Sequence, residues 1–219
     1  MVRVKICGVT RPEDVEVAAA HGADAVGVNF YPPSPRYVDP RSAGPVLRAV
    51  PPLMAAVGVF VGQPLRQVFA QAYQLGLRSV QWYGDDGDPG DPFPFSLVLA
   101  YRIRDRQQLD NISRFIASCR EKGHAPGAVL IDAFVDGQMG GTGKLAPWDL
   151  LADFRPGVPV ILAGGLNPDN VGDAIRAVRP AGVDVASGVE SSPGKKDAIK
   201  VRDFILNAKS AAQSLTSVT

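Results

Sequence analysis

The stretch VRVKICGVT, from Val2 to Thr10, has the alternation of a β-strand followed by a turn. Val4 and Ile6 alternate with Lys5 and Cys7, and a period of two sends neighbouring side chains to opposite faces of a sheet. A glycine follows Cys7 directly, so the backbone can turn sharply at that point. The stretch therefore predicts a strand that ends on Cys7, with Lys5 on the same face as the thiol.

The residues after this turn predict a helix. Thr10 and Glu13 have the spacing of a capping box, and Pro12 suits the first helical turn. A helix N-terminus carries a partial positive charge that favours thiolate, so Cys7 is expected to be more reactive than an ordinary cysteine. The simpler alternative is that Cys7 is a small buried core residue.

The same unit, a short apolar run followed by a helical pattern, recurs along the chain. Eight such runs alternating with helices predict a single parallel (β/α)8 barrel spanning residues 1–219, with a frayed tail from about residue 209. The eight predicted strands are Val2–Cys7, Ala25–Phe30, Met54–Phe60, 79–82, Leu97–Arg102, Ala128–Asp132, 159–165 and 183–188.

Two segments depart from this pattern. Residues 83–95, YGDDGDPGDPFPF, are rich in Gly, Pro and Asp, which cannot sustain a helix, so the fourth helix is predicted to be shortened or absent. Residues 133–144, AFVDGQMGGTGK, are expected to form a mobile loop that covers a site. Leu145 follows Lys144 where a nucleotide P-loop needs Ser or Thr, so ATP binding is rejected.

Composition excludes several classes of function. A formal net charge of +1 provides no basic surface for nucleic acid, and there is neither an apolar run of membrane-spanning length nor a signal peptide. The two cysteines lie far apart without further metal ligands, which favours reduced thiols and neither a disulfide nor a metal site. We therefore expect a cytoplasmic protein.

The barrel hypothesis converts position in the sequence into position in space. Active sites of such barrels lie at the C-terminal ends of the strands, and the polar or glycine-rich features found there are Cys7, Arg36, Asp132, Gly164, Gly165, Ser187 and Gly188. Each alone has an ordinary explanation, such as a solvated arginine, a capping aspartate or a glycine that relieves strain. Together they favour a site. The glycine turns after strands seven and eight favour a phosphate ester as substrate, because glycine lets backbone amides approach an anion.

Six motifs in order along the chain carry a family resemblance. The chain resembles phosphoribosylanthranilate isomerase of tryptophan biosynthesis in KICG at 5–8, SPRYV at 34–38, LIDA at 130–133, GGTGK at 140–144, LAGGLNPDNV at 162–171 and DVASGVE at 184–190. Two departures are the QWYG at 81–84, where the family usually has QLHG, and Leu145–Pro147 inserted before Trp148.

The resemblance implies a cofactor-independent Amadori rearrangement of N-(5-phosphoribosyl)anthranilate. The family's catalytic cysteine matches Cys7 and its catalytic aspartate matches Asp132, which implies a general base and a general acid. Arg36 matches the family's residue for the anthranilate carboxylate. The implied partner is a phosphorylated small molecule, with no metal, no nucleic acid and no membrane, and the protein is expected to be a monomer or a homodimer.

The position of Lys5 in the first strand predicts one further contact. It shares the face of Cys7 and therefore points into the barrel, where an unpaired ammonium would be costly. We expect a carboxylate partner, with Asp184 the best candidate, and a structural or electrostatic role for the pair.

Two alternatives remain open at this stage. The sister isomerase of histidine biosynthesis shares the barrel and the chemistry, but it has an Asp at the end of strand one, where this chain has Cys7. A non-catalytic sugar-phosphate-binding protein would keep the phosphate turns without turnover. Retention of both Cys7 and Asp132 argues against it.

Overall fold

The protein is a closed barrel of eight parallel strands in sequential order, seen in a computed structural model that describes residues 1–84, 95–132 and 148–216. This confirms the predicted (β/α)8 architecture. The strands β1 to β8 are Arg3–Cys7, Ala25–Asn29, Ala55–Val61, Ser79–Tyr83, Ser96–Arg102, Ala128–Asp132, Val160–Ala163 and Gly182–Val185. β1 pairs with both β2 and β8, which closes the sheet and leaves it without an edge.

Seven α-helices lie in the described residues. Helices α1 to α7 are Pro12–Ala20, Gly44–Arg48, Leu65–Gln74, Arg106–Glu121, Trp148–Leu151, Val171–Val178 and Ala198–Thr216. Asp105 precedes helix α4, and its side chain accepts a hydrogen bond from the backbone N–H of Gln108 and so caps the helix. Most of the buried apolar side chains form one cluster that includes residues of both strands and helices.

The alternation in β1 decides which residues face the barrel interior. Val4 and Ile6 are completely buried in the main apolar cluster. Lys5 and Cys7 therefore point to the other face, and Lys5 is paired in register with Asp184 of β8. The predicted placement of Lys5 and Cys7 on one interior face is confirmed.

The predicted irregular segments lie largely outside the described residues. Only residues 84–95 connect β4 to β5, and of these 85–94 are outside the described ranges. The described residues of this connection contain no helix, in agreement with a shortened or absent fourth helix. The glycine-rich segment 133–144 and Lys144 also lie outside the described residues.

The C-terminal tail differs from the expectation. Helix α7 continues to Thr216, so the frayed tail expected from about residue 209 is wrong over the described part of this segment. Ala211 and Ala212 are 5% and 7% exposed and belong to the main apolar cluster. Small side chains suggested a solvated tail, but on one helical face they pack closely against the barrel.

A short hairpin follows β8. Its strands are Glu190–Ser192 (β9) and Lys195–Lys196 (β10), and they pair antiparallel. None of the helices in residues 1–84, 95–132 and 148–216 combines the length and apolar character that crossing a bilayer requires.

Candidate active site

Cys7 and Asp132 lie at the same end of the barrel. Each is the last residue of its strand, β1 for the thiol and β6 for the carboxylate, and the C-terminal ends of parallel strands share one rim. Cys7 is 8% exposed and the Asp132 side chain 19% exposed. Arg102, at the end of β5, places its Nε 3.6 Å from Oδ2 of Asp132. The structure thus puts the predicted acid and base at one rim.

Lys5 and Asp184 form a buried ion pair beneath Cys7. Nζ of Lys5 donates a hydrogen bond to Oδ1 of Asp184 at 2.9 Å, and the two side chains are 8% and 7% exposed. The expected carboxylate partner of Lys5 is confirmed. Burial opposes the charge on Lys5, but the contacts with Asp184 and Cys7 outweigh it and leave the pKa of Lys5 raised.

The surroundings of Cys7 favour the thiol over the thiolate in the free protein. Burial raises the pKa of Cys7, the Asp184 carboxylate raises it further, and the nearby cations of Lys5 and Lys196 only partly offset both effects. The expectation of a thiolate stabilised by the helix N-terminus is therefore wrong. Helix α1 starts only at Pro12, and the influence of a helix dipole falls off within about one turn.

Thr10 does not cap α1 as the capping box predicted. The residue before the helix is Arg11, which makes no capping hydrogen bond through its side chain. Thr10 instead donates from Oγ1 to the carbonyl oxygen of Gly194 at 2.6 Å. Gly194 lies in the hairpin of β9 and β10, so Thr10 ties the loop after β1 to that hairpin.

The hairpin also holds Arg36, which lies in the loop after β2. Nε and Nη2 of Arg36 donate to the two carboxylate oxygens of Glu190 at 2.8 and 2.6 Å. A Cβ on Gly8 would lie 2.5 Å from Cδ of Arg36, so the absence of a side chain at Gly8 lets the arginine stem pass beside the residue that follows Cys7. Arg36 therefore lies at the rim beside the thiol.

Glu190 joins two cations, and we call Arg36, Glu190 and Lys196 the guanidinium cluster. Nζ of Lys196 donates to Oε1 of Glu190 at 3.0 Å and to the carbonyl oxygen of Ala186 at 2.9 Å. Burial alone would raise the pKa of Glu190, but the hydrogen bonds from Arg36 and Lys196 leave it lowered. The cluster holds two cations for one carboxylate, and burial lowers the pKa of Lys196 despite its contact with Glu190.

Sequence reasoning missed Glu190 and Lys196. Glu190 closes the DVASGVE motif, yet nothing local to it indicates a partner 154 positions earlier in the chain. Lys196 is one of two adjacent lysines, and nothing in the sequence distinguishes it from Lys195. The only available signal was that both residues follow the last strand, where the chain returns to the rim.

The two glycine turns are next to each other, as the barrel hypothesis required. Gly164 and Gly165 have φ of +91° and +65°, a region that side chains disfavour. Ser187 begins the 3-10 helix Ser187–Val189, and a Cβ on Gly188 would lie 1.9 Å from the carbonyl oxygen of Leu166. The loops after β7 and β8 thus pack backbone against backbone, with all four predicted phosphate residues in these two turns.

Tyr83, in the QWYG segment that departs from the family pattern, is a further rim residue. It ends β4, is half-buried, and packs against Ala100, Leu130 and Ala163 in a small interior cluster. Burial raises the pKa of Tyr83, as do the charges of Asp132, Asp184 and Cys7. Its phenol is therefore a neutral hydrogen-bonding group at the rim throughout the physiological range.

Within residues 1–84, 95–132 and 148–216, no cluster of three or more His, Cys, Asp or Glu side chains could hold a metal ion. The described part of the site offers instead one buried thiol, a carboxylate, the guanidinium cluster and two backbone turns. This set suits proton transfer on a substrate that carries negative charges.

The chain is similar to known proteins over nearly its whole length. A family model described as N-(5'phosphoribosyl)anthranilate (PRA) isomerase matches residues 4–207. The N-(5'-phosphoribosyl)anthranilate isomerase of Geobacter metallireducens is 42% identical over 215 residues, which cover 95% of this chain and 100% of the relative.

Two solved structures have the same barrel. The phosphoribosyl anthranilate isomerase of Thermotoga maritima superimposes with a TM-score of 0.82 at 36% identity, covering 96% of this chain and 100% of that one. A phosphoribosyl anthranilate isomerase in complex with reduced 1-(o-carboxyphenylamino)-1-deoxyribulose 5-phosphate gives a TM-score of 0.80 at 34% identity, with the same coverage. The present chain, which keeps a thiol and a carboxylate at the ends of its first and sixth strands, belongs to the phosphoribosylanthranilate isomerase family.

Proposed function

We propose that this chain converts N-(5-phosphoribosyl)anthranilate to 1-(o-carboxyphenylamino)-1-deoxyribulose 5-phosphate, with Asp132 as general acid and Cys7 as general base. The activity follows from membership of the family. The observation that supports the two roles is that Cys7 and Asp132 end β1 and β6 at the same rim. The reaction is a step of tryptophan biosynthesis and is an internal redox exchange, because the sugar's first carbon is reduced while the second is oxidised.

The first step opens the furanose ring. Asp132 gives its proton to the ring oxygen while the bond between that oxygen and the first carbon breaks, and the oxygen keeps the electron pair. The anthranilate nitrogen shares its lone pair with the first carbon and becomes a protonated Schiff base. Asp132 is left as a carboxylate, so the step needs its neutral form at the start.

The second step removes a proton from the second carbon. Cys7 first loses its thiol proton to water, because the free protein favours the thiol. The thiolate then takes the proton from the second carbon, the C–H electron pair forms a double bond between the first and second carbons, and the iminium electrons return to nitrogen. The resulting enolamine then tautomerises, as the enol proton is lost and the first carbon gains one, which leaves the ketone. Cys7 ends this step as a thiol.

Substrate charge supports the assignment of the remaining residues. We assign Arg36 to the anthranilate carboxylate, because the guanidinium cluster holds two cations for one carboxylate and lies beside the thiol. The backbone at Gly164, Gly165, Ser187 and Gly188 is assigned to the phosphate, because amides in glycine turns approach an anion closely. These two subsites would hold the sugar between its charged ends.

The test replaces each group with one that cannot move a proton. We expect Cys7→Ala and Asp132→Asn each to lose about 10²- to 10⁴-fold in kcat. Turnover is measured as the loss of fluorescence of freshly made phosphoribosylanthranilate. Both variants should still bind the reduced product analogue. Cys119→Ala is the matched control, since Cys119 is buried in α4 away from the rim. Turnover near the wild-type level in either variant would refute the role assigned to that residue, and a wild type that binds the analogue without turnover would identify a non-catalytic binder.

Assembly and location stay predictions. We expect a monomer or homodimer by size-exclusion chromatography with light scattering. A cytoplasmic enzyme is expected from its place in amino-acid biosynthesis, and fractionation of the source cells tests it.

A further inference from the structure

The barrel interior beneath Cys7 contains two ionised residues that the proton transfers do not use. Lys5 and Asp184 pair at 2.9 Å with side chains 8% and 7% exposed. A buried ion pair contributes little net stability, because desolvation of the two charges offsets their attraction. Stability alone is therefore a weak reason for a charged pair here, where two apolar side chains would pack as well.

Lys5 is directed at Cys7 as well as at Asp184. Nζ of Lys5 and Sγ of Cys7 border the same space beside Gly27, and the ammonium charge acts on the thiol. Gly27 of β2 pairs in register with Cys7, and a Cβ there would lie 2.8 Å from Sγ of Cys7 and 3.0 Å from Nζ of Lys5. The thiol and the ammonium thus converge over a glycine whose missing side chain leaves room for both.

We propose that Lys5, held in place by Asp184, is a positioning residue whose ammonium lies against Sγ of Cys7 and stabilises the thiolate that takes the substrate proton. The inference rests on the proposed role of Cys7 as general base. When the thiolate forms, the thiol proton leaves to water and Lys5 keeps its own protons. Gly27 serves the same contact by its lack of a side chain.

Charged and titratable groups from five parts of the fold act on this thiol. They are Lys5 on β1, Asp184 on β8, Lys196 on β10, Arg36 in the loop after β2 and Tyr83 on β4. The carboxylate of Asp184 opposes the thiolate, and the ammonium groups of Lys5 and Lys196 favour it. Removal of Lys5 should therefore raise the pKa of Cys7, and removal of the Asp184 charge should lower it.

The experiment measures alkylation of Cys7 by iodoacetamide from pH 6 to 10, by mass spectrometry, in a Cys119→Ala background so that one thiol reports. We expect Lys5→Met to slow alkylation at pH 7.5 by about tenfold or more, since an adjacent opposite charge shifts a titration by about one to three units. Asp184→Asn should speed it up. The double variant should fall between the two.

The double variant also keeps the test decisive if Lys5→Met fails to fold. It removes both buried charges, so no unpaired carboxylate is left in the interior. The effect of Lys5 is then measured by comparing Asp184→Asn with the double variant, which differ only at residue 5. Slower alkylation in the double variant supports the proposal.

Two results would overturn it. One is an unchanged alkylation profile on removal of Lys5 in either background, and the other is a shift in the same direction for Lys5→Met and Asp184→Asn, which is the pattern of a merely structural pair. Alkylation does not require turnover. If Cys7→Ala proved active, the proposed base role would fail, while the alkylation profiles would still decide whether Lys5 stabilises the thiolate.

Discussion

Arg36 holds Glu190 through two hydrogen bonds, from Nε at 2.8 Å and from Nη2 at 2.6 Å, across 154 positions of the chain. Among the residues that the structure describes, Nη1 of Arg36 has no such partner. A guanidinium can bind a carboxylate on each of two edges, so the contact with Glu190 fixes the plane of Arg36 and leaves a second edge on which the proposed contact with the substrate carboxylate can form.

Replacement of Arg36 with Met should weaken substrate binding. The anthranilate carboxylate is present in both the ground state and the transition state. Loss of its proposed contact with Arg36 should therefore weaken both about equally and appear mainly as a higher KM. A charge-assisted contact of about 1.5 to 3 kcal/mol corresponds to a KM about ten- to a hundredfold higher, with a smaller change in kcat. Glu190 keeps its bond from Lys196. Arg36→Lys, which keeps the charge without the fork, should be intermediate. Steady-state kinetics that gave an unchanged KM and a collapsed kcat would place Arg36 in the transition state instead.

Glu190→Gln should remove part of the acid sensitivity of the fold. The pKa of Glu190 is lowered in the folded protein, so its stabilisation is complete above the unfolded value of about 4.3 and is lost as pH falls through the folded value. At pH 7 we expect a loss of about 3 to 5 kcal/mol, because two cations lose their buried counter-ion.

The measurement is urea unfolding at pH 7 and at steps below pH 5. The variant should show the shallower dependence on pH in the acid range. Asp173→Asn is the matched control, since that carboxylate pairs with Arg176 on an exposed surface and should change the stability at pH 7 little. Equal pH dependence in wild type and Glu190→Gln would contradict the prediction.

Gly188→Ala should disrupt the two turns assigned to phosphate. The new Cβ would lie 1.9 Å from the carbonyl oxygen of Leu166, so one of the two backbones must move. We expect a higher KM and weaker inhibition by inorganic phosphate. Gly172→Ala is the control, because its Cβ would meet only the end of the Arg176 side chain at 3.4 Å and helix propensity favours alanine by about 1 kcal/mol. Wild-type phosphate inhibition in Gly188→Ala would remove the support for this subsite.

Ala211→Asp should destabilise the protein although it lies near the C-terminus. Ala211 is 5% exposed against the barrel, and an unpaired carboxylate there must either lose its solvation or displace the end of α7. We expect a loss of at least about 2 kcal/mol in the free energy of unfolding. Ser210→Asp, one residue earlier and exposed, should be nearly neutral. Equal stability of the two variants would restore the idea of a loosely attached tail.

The features that could be predicted from the sequence follow from the alternation of residues within a strand and from the order of the strands. Alternation in residues 2–7 placed Lys5 and Cys7 on one face, and the repeat of strand and helix implied a rim where Cys7 and Asp132 both end. Even the Lys5–Asp184 pair could be expected, because an inward ammonium needs a carboxylate and strand eight returns beside strand one. These inferences depend on periodicity and on strand order, and both can be read from the chain.

The sequence left the electrostatics of the site undetermined. Thr10 bonds to Gly194 and not to its own helix, the pKa of Cys7 is raised where the helix dipole suggested the opposite, and Glu190 joins Arg36 to Lys196. The contacts of Thr10 and Glu190 depend on how the hairpin after β8 packs over the loops after β1 and β2, and the pKa of Cys7 depends on its burial and on Asp184 of β8. Burial and distance determine these interactions, and only the folded chain determines which groups are buried together.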